Sequence, residues 1–587
     1  MTRDAVQRSK QSATTESLHR LPAWLPIAGL FALTLIAYIP AMRGGYIWDD
    51  DQYVYNNPQL HRLDGLHRIW TEPRSTPQFY PLVFTTFWLE HALWGTNPLG
   101  YHVVNVLLHA VGAVLLYKLL KRLSIPGALV AAVIFGLHPV HVESVAWITE
   151  RKNVLSGVFY LAAALVYFPQ NRDRKEAGSF SAGTTSSASH RYLIALGLFV
   201  CALLSKTVAA SWPAAILLVE WWKHGRIAPR SWIRLAPFFA LGIGAGLMTA
   251  WIEREHVGAA GPEFVFSFAE RSLIAGRAVW FYLGKLLWPH PLIFIYPRWT
   301  LNTGDVAQIA WPVAAAMLLV TLVSLRKRIG RGPLVAALFF GGTLLPALGF
   351  VNVYPMRFSF VADHFQYLAS IGPIVLFTTI MARLLKHSIR LAMPIAGVVV
   401  VTLSALTWNQ GRLYANEEHL WRETLKRNPG AWIAMNNIGY AQGTRGELGA
   451  AIESLSAAVR LNPTFAEGQS NLGIFLLQRG NLPEALKHLE EAVRLEPRLS
   501  DGHGNLGVAL LHSGRHDEAI THFREAIRLK FDNFTARYNL GCLLVSRGAA
   551  DEAVEHLSVA VRLSPEDAEA RANLDKARSM QRGGKAP

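Results

Sequence analysis

The feature that most constrains this chain is a series of apolar runs that recurs from residue 22 to about Trp408 and then stops. A helix that crosses a bilayer needs about 20 mostly apolar residues. Runs near 22–41, 102–120, 125–138, 153–168, 191–206, 207–222, 234–252, 306–325, 333–350, 367–385 and 391–408 predict about eleven spans, several of them short. Arg271, Arg277 and Lys285 recur through another stretch, 272–288, which is ambiguous between spanning and lying along the interface. The whole chain is 51% hydrophobic and 17% charged, too apolar for a soluble protein and too charged to be membrane-embedded throughout. The two halves resolve this, because beyond Asn416 the sequence turns amphipathic and charged. The run Leu25–Pro40 has no small-residue cleavage site behind it and reads as a signal anchor.

Basic residues set an expected orientation. Arg3, Arg8, Lys10 and Arg20 precede the first run, and clusters at Lys118–Arg122, Arg172–Lys175, Lys223–Arg230, Arg326–Arg331 and Arg383–Arg390 follow alternate later ones. All fall on one side if the N-terminus is cytoplasmic. Loops 43–100, 139–152, 253–305 and 351–366 are then external, together with everything after Trp408. The stretch 171–190, rich in Ser, Gly, Thr and charge, reads as a disordered cytoplasmic loop. The net charge of +16 belongs with these basic loops, and no nucleic-acid partner is expected. Two cysteines, Cys201 and Cys542, predict neither a disulfide framework nor a thiolate metal site.

The second half has a register of its own. Asn437, Asn471, Asn505, Asn539 and Asn573 are 34 residues apart, as are Gly439, Gly473, Gly507 and Gly541, and Ala451, Ala485, Ala519 and Ala553. Pro463, Pro497 and Pro565 share the period, with Phe531 in the missing place. This pattern resembles the tetratricopeptide repeat, in which small residues sit where two helices cross and Pro ends the second helix. Four full repeats are expected over about 432–567, with half-repeats on each side and a concave, peptide-sized groove. The asparagines fall on the first helix of each pair. Asn471, Asn505 and Asn539 are candidates to grip an acceptor backbone, or simply to bond within and between repeats.

The chemistry-bearing residues concentrate in the predicted external loops. Asp49, Asp50 and Asp51 are adjacent acids just after the first run and invite a raised pKa or a bound cation, unless they form a solvated turn. His138, His141 and Glu143 could suggest zinc, but Pro139 breaks the helix that would align them, so no metal is expected. Lys206 lies inside an apolar hairpin, and Arg357 precedes Asp363 and His364. Cations at a membrane interface need partners. A lipid phosphate could hold Arg151, Lys152, Lys206 and Arg357, or these could pair with Glu143, Glu150 or Asp363.

The runs WDDDQYVYNNP, YPLVFTTFWLEHALWG, GYHVVNVLLHAVGAVLLYKLLKRL, HPVHVESVAWITERKNVLSG and VADHFQYLASIGP resemble the transmembrane-and-tetratricopeptide O-mannosyltransferases. The resemblance covers essentially the whole chain, and the membrane half also looks like the wider GT-C glycosyltransferase class. It implies a multi-pass membrane enzyme, in a bacterium one of the inner membrane, acting on the external face with a polyprenyl-phosphate sugar as donor substrate; the sequence identifies no cofactor. The resemblance also implies that acids of the first external loop are catalytic, here Asp49 and Asp50, with Asp51 an extra acid that blurs which is the base. A sugar on a phosphate has a good leaving group already. The enzyme must position a hydroxyl, take its proton and neutralise the departing phosphate, for which a carboxylate and cations are the minimum set.

The expected architecture is all-α. A tail (1–21) leads into a polytopic membrane domain (22–410), then a repeat array (411–578) and a second tail (579–587). The expected function is transfer of a sugar, by resemblance mannose, to a polypeptide acceptor bound by the repeats. Transfer to an envelope glycan or lipid, and a non-enzymatic membrane-anchored scaffold, are the competing readings. Carboxylates clustered beside Lys and Arg at the membrane face favour an enzyme over a scaffold.

Overall fold

The computed structural model describes residues 22, 24–168, 184–259, 261–386 and 388–583. The expected tail 1–21 with its basic residues, most of the stretch 171–190 and the last residues, 584–587, lie outside these. The part of 171–190 that is described is not a disordered loop, because the helix Thr184–Leu203 takes it in. All regular structure among the described residues is helical, and the chain divides into two compact parts, Met1–Leu420 and Trp421–Pro587.

In the first part, each of the eleven expected segments contains a helix. Four helices are long and apolar enough to cross a membrane: Pro98–Arg122, Pro229–Val257, Val306–Leu325 and Arg390–Arg412. A fifth candidate is the pair Ala128–Leu137 and Pro139–Ala146, bent by 52° at the predicted proline break. Leu25–Ala37, Ser189–Leu203, Gly332–Ala347 and Ile371–Leu384 are apolar but shorter. At 1.5 Å per residue, a helix of 13 residues such as Leu25–Ala37 reaches about 20 Å, less than the ~30 Å of a hydrocarbon core. The ambiguous stretch 272–288 forms most of Phe268–Leu287, a helix started by a Ser267–Glu270 capping box. Its basic residues point to protein groups: Arg271 donates to Asn352 at 2.9 Å, and Arg277 lies over the Trp299 ring.

Local sequence explains how the loops are presented. Asn97 caps Pro98–Arg122 by accepting from Leu99 N–H, and Pro98 fits the first turn, where no N–H is needed. Inside the bundle, His109 of this helix meets the Tyr367 hydroxyl at 2.9 Å and the Gly136 carbonyl at 3.2 Å. That contact ties 98–122 to the bent pair and to the loop 351–370 without using a charge.

The second part is the helical-pair array expected. Trp432–Thr444 pairs with Leu448–Leu461, Ala466–Gln478 with Leu482–Leu495, Ser500–His512 with His516–Leu529, and Phe534–Ser546 with Ala550–Leu563, and Ala568–Gly583 closes the stack. The periodic glycines sit at the crossings. A Cβ on Gly473 would meet Leu489 at 2.5 Å, and one on Gly541 would meet Leu557 at 2.5 Å. Alanine at either position would force the two helices of a repeat apart.

Candidate active site

The site is built from loops of the first part and from the helix starts beside them, among them Val142–Ala146, which carries Glu143, and Arg151–Tyr167, which opens on Arg151 and Lys152. The loop after Ile39–Met42 carries Trp48, Asp49, Asp50 and Asp51. Trp48 adopts φ +46°, a left-handed conformation that costs a bulky residue of order 1–3 kcal/mol. Packing offsets this cost. Its ring stacks on Trp147 at 5.6 Å, with Phe294 and Phe358 edge-on at 5.4 and 5.5 Å.

The three acids have three different environments. Asp50 is fully buried and accepts at both oxygens: Oδ1 from the Thr149 N–H (2.8 Å) and hydroxyl (2.7 Å), Oδ2 from the Ile47 N–H (3.0 Å). Burial pushes its carboxyl up to about 7, against these hydrogen bonds. Asp50 is thus a brace between the 43–60 loop and the 147–150 turn. Asp51 is exposed, and its Oδ1 accepts from the Gln52 N–H at 2.6 Å. Asp49 is only partly buried, and its carboxylate makes no hydrogen bond among the described residues. Burial raises it to about 6; Lys152 opposes, Asp51 and Glu150 add to the rise, and His364 opposes.

The expected cations separate. Arg151 is completely buried and its five N–H groups are all occupied, by Asn105, Thr86, both oxygens of Glu90 and the Tyr101 carbonyl. It has no donor left for a phosphate, which corrects its expected place among the donor-binding residues. Arg357 pairs with Glu263 at 3.8 Å. Lys152 and Lys206 come together on a single carboxylate, Glu150, at 3.0 and 3.1 Å. Burial raises the Glu150 carboxyl, but His364, Lys152 and Lys206 together hold it below the ordinary range.

Glu143, Asp363 and His364 form an adjoining knot. Glu143 accepts from His364 Nδ1 at 2.7 Å and from the Asp363 N–H at 3.0 Å. Asp363 is buried and accepts from the Tyr296 hydroxyl at 3.1 Å; burial and then Glu143 raise it well above the carboxylate range. His141 does not join them. Its nitrogens face the Phe135 carbonyl (2.8 Å) and the Ser370 hydroxyl (3.0 Å), which leaves the ring no free position. Among the described residues, no three His, Cys, Asp or Glu side chains form a group that could hold a metal ion.

Sequence reasoning missed Gln78 and Glu253. Gln78 accepts from Tyr53 (2.8 Å) and Lys152 (3.3 Å) and donates to Glu253 (2.8 Å), which joins two loops far apart in sequence. Nothing in either loop marks them. Glu150 has a signal, since it adjoins Arg151 and Lys152, but that adjacency marks it only as a counter-ion. Asn153 donates to Glu150 (2.5 Å), Ser144 (3.1 Å) and the His364 carbonyl (3.0 Å), so it fixes the carboxylate that both lysines share.

In the repeats, the asparagine amides are partly used. Asn471 donates to Asn436 and Asn505 to Ser470, each at 3.0 Å across a repeat boundary, and Asn539 donates to its own helix at the Thr535 carbonyl, 2.8 Å. The pattern is one of joints between and within repeats, with the half-buried amide oxygens left over.

Asp50 yields a direct test of this geometry. An Asn there has one acceptor oxygen for three donors and turns its NH2 group toward at least one of them. Asp50→Asn is expected to lose about 1–3 kcal/mol and to melt earlier in detergent, whereas Asp49→Asn melts like the parent. Equal melting of the two variants would contradict the brace.

A helical protein with several helices long and apolar enough to cross a membrane, a cluster of acids and lysines between its helices and a tetratricopeptide array in the same chain is the class these features define. Tetratricopeptide repeat models match residues 408–464, 471–534 and 510–577. A protein O-mannosyl-transferase of Caenorhabditis elegans is 35% identical over 158 residues, 24% of this chain and 23% of its own. The protein O-mannosyl-transferase TMTC3 of Homo sapiens is 32% identical over 133 residues, 21% of this chain and 14% of its own. TMTC4 of Homo sapiens, also named a protein O-mannosyl-transferase, is 25% identical over 499 residues, 73% of this chain and 65% of its own. The chain thus spans less than two thirds of the length of these relatives. Among solved structures, MamA (25% identity, 27% of this chain, 94% of its own, TM-score 0.23) and a tetratricopeptide-repeat protein of Thermus thermophilus (26%, 30%, 95%, 0.25) are similar. The chain carries tetratricopeptide repeats and is similar to transmembrane-and-tetratricopeptide-repeat proteins named protein O-mannosyl-transferases.

Proposed function

We propose that this protein is a polyprenyl-phosphate-sugar-dependent O-glycosyltransferase, a mannosyltransferase by its relatives' names. One observation carries the reading: Asp49, an accessible carboxylate without a hydrogen-bond partner among the described residues, lies in the field of Lys152, which shares Glu150 with Lys206. In this reading Asp49 takes the proton of the acceptor hydroxyl. Lys152 and Lys206 neutralise the donor phosphate, and Glu150 keeps both charged and in place until it arrives. Asp50 positions Asp49. Arg151 holds the fold of the loop.

The repeats bind a polypeptide acceptor, with Asn471, Asn505 and Asn539 offering their amide oxygens to its backbone N–H groups. The test is transfer of labelled mannose from polyprenyl-phosphate mannose by the purified protein to an unfolded polypeptide and to a short peptide. Transfer is expected to both. Changing all three asparagines to Ala is expected to slow the long acceptor several-fold and spare the short one. Labelling of an envelope glycan or lipid instead of either peptide would move the acceptor class. No transfer to any acceptor would leave the scaffold reading.

The chain crosses the membrane several times, with its N-terminus cytoplasmic and the acids and repeats external, as the alternation of basic loops suggests. A cysteine placed in the repeats of a chain lacking Cys201 and Cys542 is expected to react with an impermeant probe in intact cells. Reaction only after lysis would reverse the orientation.

A further inference from the structure

His364 is held in a way that neither lysine is. Its Nδ1 lies 2.7 Å from Glu143 Oε1, and an ionised carboxylate only accepts, so the ring proton there points at Glu143. The other Glu143 oxygen accepts from the neighbouring Asp363 N–H at 3.0 Å, which fixes the carboxylate against the backbone that carries the ring. Trp147 and Phe365 pack against the ring at centroid distances of 5.9 and 4.4 Å. Its Nε2 makes no hydrogen bond among the described residues and faces Glu150 Oε1 at 4.0 Å, the oxygen that Lys152 holds at 3.0 Å. A carboxylate–imidazole pair is thereby aimed at the place where Lys152 takes an anion. The charge of this ring also acts on Asp49.

We propose that His364 donates the proton that caps the departing lipid phosphate, a role that rests on the transferase reading above. The chemistry gives such a donor a specific task. A polyprenyl-phosphate sugar carries one phosphate charge, and the released polyprenyl phosphate carries two unless it is protonated. The second charge arises only as the bond breaks. Asp49 takes the acceptor hydroxyl proton while that oxygen bonds to the anomeric carbon. The bond from this carbon to the phosphate oxygen breaks, and its electron pair stays on the phosphate. The Nε2 proton passes to the phosphate, which leaves singly charged, and the ring is left neutral with Nδ1–H still on Glu143. Asp49 then returns its proton to the ring through solvent, so no proton is gained or lost. Lys152 and Lys206 bind the donor and the product alike, whereas His364 acts on the difference between them.

The test separates these roles. Asn at 364 retains a donor toward Glu143 and has nothing at the Nε2 position; Gln retains a neutral donor near Nε2. In His364→Asn, kcat for transfer is expected to fall about 100-fold. The donor KM should stay within about twofold, and inhibition by added polyprenyl phosphate should weaken roughly tenfold, the loss of one hydrogen bond to a charged group. His364→Gln should recover the inhibition and not kcat. A donor KM that rises in step with the inhibition constant would make His364 a plain phosphate holder and overturn the proposal. So would unchanged kcat in His364→Asn, or loss of folding in both variants, which would assign the ring to packing. If the parent protein transfers no sugar at all, the transferase reading fails first. Transfer by the parent with an unaffected His364→Asn defeats this inference alone.

Discussion

Asp49→Asn is expected to abolish most transfer, lowering kcat by about 10²–10⁴-fold while the protein folds and binds donor normally. The carboxamide keeps the shape of the carboxylate and loses the basic oxygen. No hydrogen bond to Asp49 is broken among the described residues, so stability should not change. The adjacent acids supply the contrast: Asp50→Asn should lose stability first, and Asp51→Asn should do little, since that side chain is exposed. The pH dependence is a second signature. Burial leads the rise of Asp49 to about 6, so the base is protonated below that pH and competent above it. Transfer at low substrate should fall about tenfold per unit as the pH drops below about 6. The acid limb should vanish from the residual activity of Asp49→Asn. A variant that transfers normally, or that keeps the same limb, would remove Asp49 as the base.

What the sequence made legible follows from which interactions are local. The 34-residue register of Asn437 to Asn573 placed the repeats because each helical pair packs mainly on its neighbours in the chain. Pro139 marked a break that the structure has, a bend of 52°. Lys206 needed a partner in an apolar hairpin and has Glu150. The number of spans was less legible. Apolar runs such as 25–37 announce a buried helix as readily as a crossing one, and only four helices, or five with the bent pair, reach spanning length and composition among the described residues. The site was legible by region and not by role. Asp49 and Asp50 look alike in the sequence, and the bonds that distinguish them come from the distant Thr149 as well as the Ile47 N–H. Arg151 and Lys152 also look alike. Successive residues of a helix point about 100° apart, so Arg151 turns to Glu90 and Asn105 while Lys152 turns to Glu150 and Gln78.

That divergence sets the largest stability effect in the first part. Arg151 and Glu90 are both buried and bonded two-fold, and the same guanidinium satisfies Asn105, Thr86 and the Tyr101 carbonyl. Arg151→Met removes every one of these contacts and leaves Glu90 in a site that already pushes its carboxyl up and that only Arg151 opposes. Breaking a buried pair from one side costs about 3–5 kcal/mol, enough to deplete a marginally stable protein. The variant is expected to accumulate poorly and to melt well below the parent in detergent. Glu90→Leu combined with Arg151→Met should recover much of the loss, since the uncompensated carboxylate is then gone and the neutral Asn105, Thr86 and Tyr101 acceptors are what stay unmet. Lys152→Met should behave in the opposite way. Lys152 shares its carboxylate with Lys206, so Glu150 keeps one cation, and the variant should fold while its donor KM rises. A stable Arg151→Met protein with weakened donor binding would reverse the assignment and return Arg151 to the phosphate.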